Sequence, residues 1–138
     1  MHPLLRNILA VITGAIVGSI INSALVSLGG LIIPPPPGVD TSTMEGLKVS
    51  FHLFGPEHFV FPFLAHAVGT LSGAFLAVKI AVAHQLKLAL TIGVFFLAGG
   101  TTMVFMLPSP VWFNAVDLIF AYIPMSWLGW KLAVKKKS

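Results

Sequence analysis

Apolar residues in this chain do not alternate with polar ones as on a half-buried helix or strand. They run nearly unbroken through four stretches, at about 8–33, 59–83, 86–107 and 111–134. A helix rising about 1.5 Å per residue needs about 20 mostly apolar residues to cross the hydrocarbon of a bilayer. All four stretches meet that length, so the pattern predicts an all-α fold: a bundle of four transmembrane helices forming one integral membrane domain over 1–138. The first run is well beyond the roughly 7–15 residues of a secretory signal core, and no clear small-x-small cleavage pattern follows, so it reads as a retained span. His84 and Gln85 leave room only for a tight turn, which makes the second and third spans an antiparallel hairpin.

The segment between the first two spans has a pattern of its own. Pro34, Pro35, Pro36 and Pro37 stop the first helix and favour an extended polyproline spacer. Ser42 and Glu45 then stand at capping-box spacing, and Met44, Leu47, Phe51 and Phe54 follow on one helical face. A short amphipathic helix at about 43–54, lying in the membrane interface, is the expectation. Gly55 breaks it, and Pro56 suits the first turn of the next helix. Pro62 and Pro124 are expected to kink the second and fourth spans.

Composition turns the pattern into an exclusion. With 57% hydrophobic residues, 9% charged ones and a mean hydropathy of +0.96, the chain lacks the polar cover a water-soluble domain of 138 residues needs, so its cover is the lipid bilayer. The net charge of +4 sits at span ends without forming a basic stripe, which argues against nucleic acid as a partner. Arg6, Lys79, Lys87, Lys131, Lys135, Lys136 and Lys137 share one side and only Lys48 lies on the other, so the positive-inside bias predicts both termini in the cytoplasm. The loop 34–58 and the turn around Pro108, Ser109 and Pro110 are then external. Cysteine is absent, which removes disulfides and thiol chemistry, and no cofactor motif is present.

Small residues predict where the helices touch. Ala10, Gly14, Gly18 and Asn22 form one stripe in the first span, and Ala65, Gly69, Gly73, Ala77 and Ala81 another in the second. Helices in lipid associate by close backbone approach, so these faces are expected to meet, a homo-oligomer seam being the rival use.

The polar residues inside the spans are the candidate chemistry. Asp117 is flanked by Val116, Leu118, Ile119 and Phe120, where an Asp costs about 2.5–3.5 kcal/mol at mid-bilayer, so it must face the bundle interior or a wet cavity. Asn114 shares its face. His66 shares a face with Pro62, Gly69 and Gly73, and Asn22 extends the first glycine stripe. Counted from the outer ends, Asp117, Asn22, His66 and Thr101 lie about 8–15 Å deep. The expectation is one outward-opening cluster of Asn22, His66, Thr101, Asn114 and Asp117. It is either a site for a small ligand, an ion or a proton, centred on His66 and Asp117, or plain interhelical hydrogen bonding. At the outer rim His52, Glu57 and His58 could bind a metal, although their spacing matches no recognised ligand pattern. Two facing axial histidines for haem are missing.

The strings Leu5 to Val11, Ile33 to Pro36, His58 to His66, and Met106 to Pro110 followed by Trp112 and Asp117, together resemble an uncharacterised family of small four-helix bacterial inner-membrane proteins, over nearly the whole chain. The resemblance implies a multi-pass protein of the bacterial inner membrane and carries no activity. Three roles stay open: a non-enzymatic protein with an outward polar pocket, a structural or accessory subunit of a membrane complex, and a metal-dependent enzyme at the outer rim.

Overall fold

The computed structural model describes residues 1–134; Lys135, Lys136 and Lys137, counted above among the inner charges, lie outside the described residues. All of its regular structure is helical. Helix α1 runs Pro3–Ile32, starting with proline in its first turn and with the His2 ring accepting the Leu4 N–H at 3.2 Å. It ends where Pro34 bars continuation. Helix α2, Met44–Ser50, is capped by Thr43, whose hydroxyl accepts the Gly46 N–H at 3.0 Å. The expected cap was Ser42. That residue instead turns its hydroxyl and amide to Asp40 Oδ1, at 2.5 and 2.9 Å, and these bonds hold the exposed Asp40 carboxyl below its ordinary pKa. A 3-10 turn at Phe51–Leu53 and another at Pro56–Phe59 lead into α3, Val60–Ile80. Pro62 falls in the first turn of α3, where its missing N–H removes no intrahelical bond.

Helix α4 covers Gln85–Met106. The fourth apolar stretch, expected to be one kinked helix, is two: α5 at Val111–Phe120 and α6 at Ile123–Ala133. Pro124 has no N–H for the Phe120 carbonyl, and the chain unwinds at Ala121 and Tyr122 instead of bending through. Four helical segments, Pro3–Ile32, Pro56–Ile80, Gln85–Met106 and Val111–Ala133, are long and apolar enough to cross a membrane.

The distribution of side chains accords with four candidate membrane spans. Ile8, Ile12, Ile16 and Ile20 face outward along α1, while the buried positions are mostly small: Ala10, Ala65, Ala74 and Ala77 among them. Without a hydrophobic gain for burying isoleucine, contact goes to the residues that let backbones approach. A Cβ built on Gly14 would stand 2.5 Å from the Gly73 carbonyl oxygen, and one on Gly18 would stand 2.7 Å from that of Gly69. Helices α1 and α3 are therefore antiparallel neighbours with backbones in contact. On another side of α3, a Cβ on Gly129 of α6 would come 2.5 Å from the Leu71 carbonyl oxygen. Helix α4 packs on both α3 and α6, leaving α3 the central rod.

At the α3–α4 turn, α1 and the first residue of α4 supply the caps. Arg6 Nε donates to the Ile80 carbonyl at 2.8 Å, Asn7 Oδ1 accepts the Val82 N–H at 3.1 Å, and Gln85 Nε2 donates to the Val78 carbonyl at 3.1 Å. His84 takes the left-handed conformation that closes this turn (φ 54°). The opposite end, beneath residues 35–59, is open, and the candidate site lies there.

Candidate functional site

Helix α5 turns Phe113 and Asp117, one turn apart, toward the protein and Val116, Ile119 and Phe120 outward. Asp117 is 4% exposed. Its Oδ1 lies 2.7 Å from His66 Nδ1 on α3, and its Oδ2 accepts the Tyr122 O–H at 2.7 Å. The Tyr122 oxygen is also 3.1 Å from His66 Nδ1, and the two rings stack with centroids 5.7 Å apart. A carboxylate in hydrocarbon is costly, and two short charge-assisted hydrogen bonds are the compensation available to it.

The break after α5 is what brings Tyr122 into this group. Its phenol sits against Gly100 of α4, where any Cβ would collide with the hydroxyl oxygen. A carboxylate accepting at both oxygens requires a hydrogen on Nδ1, so in the neutral imidazole the lone pair is on Nε2. Nε2 has no protein partner among the described residues, yet it is not sealed off; the His66 side chain keeps 25% of its surface, against 6% for Asp117.

His66 and Asp117 border a cavity of about 500 Å³ formed by the last turns of α1 and α4, the 35–59 segment and the starts of α3 and α5. Most of its wall is apolar. Five phenylalanines, Phe51, Phe54, Phe59, Phe61 and Phe113, contribute rings, and Gly29 makes room for Phe61. The arrangement is an imidazole held by a carboxylate and a phenol at the edge of a mainly apolar chamber, with one ring nitrogen that has no protein partner among the described residues. It can accept a hydrogen bond or take up a proton.

The other predicted residues distribute differently. Asn114 borders the cavity, but its amide is engaged with Ser109, accepting the hydroxyl at 2.7 Å, and does not touch His66. Thr101 is not in the cluster. It is exposed, with its hydroxyl donating to the Leu97 carbonyl of its own helix at 2.8 Å, while Gly100, Met103 and Val104 carry the cavity face of α4. Asn22 is not in the cluster either. It lies in the α1–α3 seam against Gly69, its buried Oδ1 finding no protein donor among the described residues.

The rim residues His52, Glu57 and His58 form no three-ligand metal group among the described residues. Both nitrogens of His58 are committed: Nδ1 accepts the Gly55 N–H at 2.9 Å and Nε2 donates to the Pro34 carbonyl at 3.1 Å. This ring latches the chamber mouth to the end of α1. Sequence reasoning missed Tyr122 and Gly100. The signal for the first was available: Tyr122 is the sole tyrosine, placed in mid-span away from the membrane boundary where tyrosines usually sit.

Fold and site together define an all-helical protein with four candidate membrane spans and a His–Asp–Tyr group at the base of an apolar chamber. No family model, no curated protein and no solved structure matches the chain.

Proposed function

We propose that this is a non-enzymatic inner-membrane protein of bacteria that holds a small lipophilic ligand in a pocket facing the external side, with His66 and Asp117 as its central polar groups. The observation that carries the reading is the asymmetry of the pair at the edge of a chamber of about 500 Å³: Asp117 has both oxygens engaged and keeps 6% of its side-chain surface, while His66 keeps 25% and has Nε2 without a protein partner among the described residues. A bare cation would need several converging oxygen or nitrogen donors. A chamber walled mainly by phenylalanine and aliphatic side chains suits a molecule with an apolar body and few polar atoms.

The outward direction rests on charge. Arg6, Lys79, Lys87 and Lys131 all belong to the α3–α4 turn end, and the chamber occupies the other end. Both termini are then cytoplasmic, and α2 with the 3-10 turn after it lies in the outer interface as the chamber roof, Leu47 of α2 and Phe51 and Phe54 beyond it bordering the cavity. The likeness to small four-helix inner-membrane proteins accords with that placement.

A chain without cysteine allows a direct test. In intact cells a membrane-impermeant maleimide is expected to modify Asn114→Cys, at the chamber wall, and to reach His84→Cys, in the α3–α4 turn, only after permeabilisation. The reverse pattern would overturn the orientation, and an Asn114→Cys that reacts under neither condition would show a closed chamber.

A further inference from the structure

We infer that the chamber is built for a neutral lipophile whose head is a planar ring bearing a hydroxyl, the chemistry of a quinol or related phenol, with that O–H donating to His66 Nε2. The inference rests on the pocket reading above and adds the class of ligand to it. Two independent features of the chamber lead to it.

The first is the fixed polarity of the base. Asp117 accepts from both Tyr122 and His66 Nδ1, so with the imidazole neutral the ring nitrogen left without a protein partner among the described residues, Nε2, is an acceptor. An acceptor in an apolar chamber is satisfied by a donor, and a neutral molecule supplies one at least desolvation cost through a hydroxyl. A second carboxylate would meet the Asp117 charge at close range in a medium that screens it poorly.

The second is the shape of the wall. Phe59 lies 5.7 Å from Phe51 and 4.7 Å from Phe113, both tilted, and Phe51 lies 5.1 Å from Phe54. Rings set at angles to one another offer faces and edges to a further ring, where offset and edge-to-face packing add to area burial. An acyl chain gains nothing from that order. The volume of about 500 Å³ holds a substituted ring with a short alkyl or isoprenoid stub, and a longer tail would leave through the open side of the chamber.

The test uses the full chain purified in detergent and three probes of matched carbon count: a short-chain alkyl hydroquinone, its dimethyl ether, and a linear alkanol. The hydroquinone is expected to bind about tenfold tighter than either of the others. His66→Phe is expected to abolish its advantage over the ether. Phe54→Leu, at the roof and remote from the His–Asp–Tyr group, is expected to weaken both ring probes while leaving the alkanol unchanged, and it serves if His66→Phe does not fold. Equal binding of hydroquinone and ether would overturn the hydroxyl assignment, and alkanol binding at least as well as hydroquinone would overturn the ring. In either case the pocket reading would stand, whereas binding of none of the three would overturn both.

Discussion

Gly14→Val is expected to lower the stability of the bundle in detergent by about 3 kcal/mol, at the upper end of the cost of overpacking. The reason is the nature of the obstacle. A Cβ at this position would meet the Gly73 carbonyl oxygen at 2.5 Å, Ala77 Cβ at 3.1 Å and Ile92 Cδ1 at 3.2 Å. A side chain could rotate away, but the first of these is backbone of the central helix and the second is fixed to it, so α1 and α3 must separate along their length. Separation would also undo the neighbouring Gly18–Gly69 approach. Gly99→Val is the control: nothing lies within 4 Å of a Cβ there, and its effect is expected to stay within about 0.5 kcal/mol. Thermal or denaturant unfolding in detergent measures both, and equal stability of the two variants would contradict the packing described for α1 and α3.

Asp117→Ala is expected to change two quantities in opposite directions. Insertion of the fourth span into a membrane should improve, because an Asp near mid-bilayer costs about 2.5–3.5 kcal/mol at that step. Stability of the assembled bundle should fall by about 1–2 kcal/mol, because His66 Nδ1 and the buried Tyr122 hydroxyl both lose their acceptor. Tyr122→Phe removes one donor and should cost less. The double variant should be less unstable than the two single losses added together, by about 0.6 kcal/mol, since the phenol no longer stands unpaired once it is gone. Insertion assays and unfolding of the four proteins read the two effects separately. Strict additivity would mean that the 2.7 Å bond between Tyr122 and Asp117 contributes nothing to the bundle.

Gly100 links these two kinds of result. It is a packing glycine whose missing Cβ makes space for a polar group, the Tyr122 hydroxyl. Gly100→Ala is expected to cost more than Tyr122→Phe and to add a further loss when the two changes are combined, because a Cβ at position 100 would also meet Tyr122 Cζ at 2.6 Å and Cε2 at 2.8 Å, ring atoms that phenylalanine keeps. Unfolding of the double variant checks this.

Hydropathy alone was enough for the four apolar spans, though not for the break within the fourth, because a span has to satisfy its backbone internally and cover about 20 residues with apolar side chains whatever its neighbours are. It was also enough to pick out Asp117 and His66, since an ionisable group in such a run has few tolerable environments. Thr101 marks the limit of that reasoning. Depth along a helix can be counted from sequence, but the side of α4 that faces the cavity is set by how α4 rolls against α3 and α6, and Thr101 lies beside Gly100 on the wrong part of the helix. Asn22 met the same limit, at the right height but taken into the α1–α3 seam. Tyr122 depended on the break before Pro124. A proline in a span can bend a helix or end it, and which occurs depends on whether neighbouring groups receive the freed chain. Here the space left by Gly100 and the carboxylate of Asp117 receive it. Sequence by itself thus determined the four candidate spans and the two ionisable residues, His66 and Asp117, that the structure pairs, each of which follows from the pattern within one segment. The chamber, the third member of the polar group and the nitrogen left free were decided by tertiary structure, because each depends on the rotation of one helix relative to another, a quantity that no single segment contains.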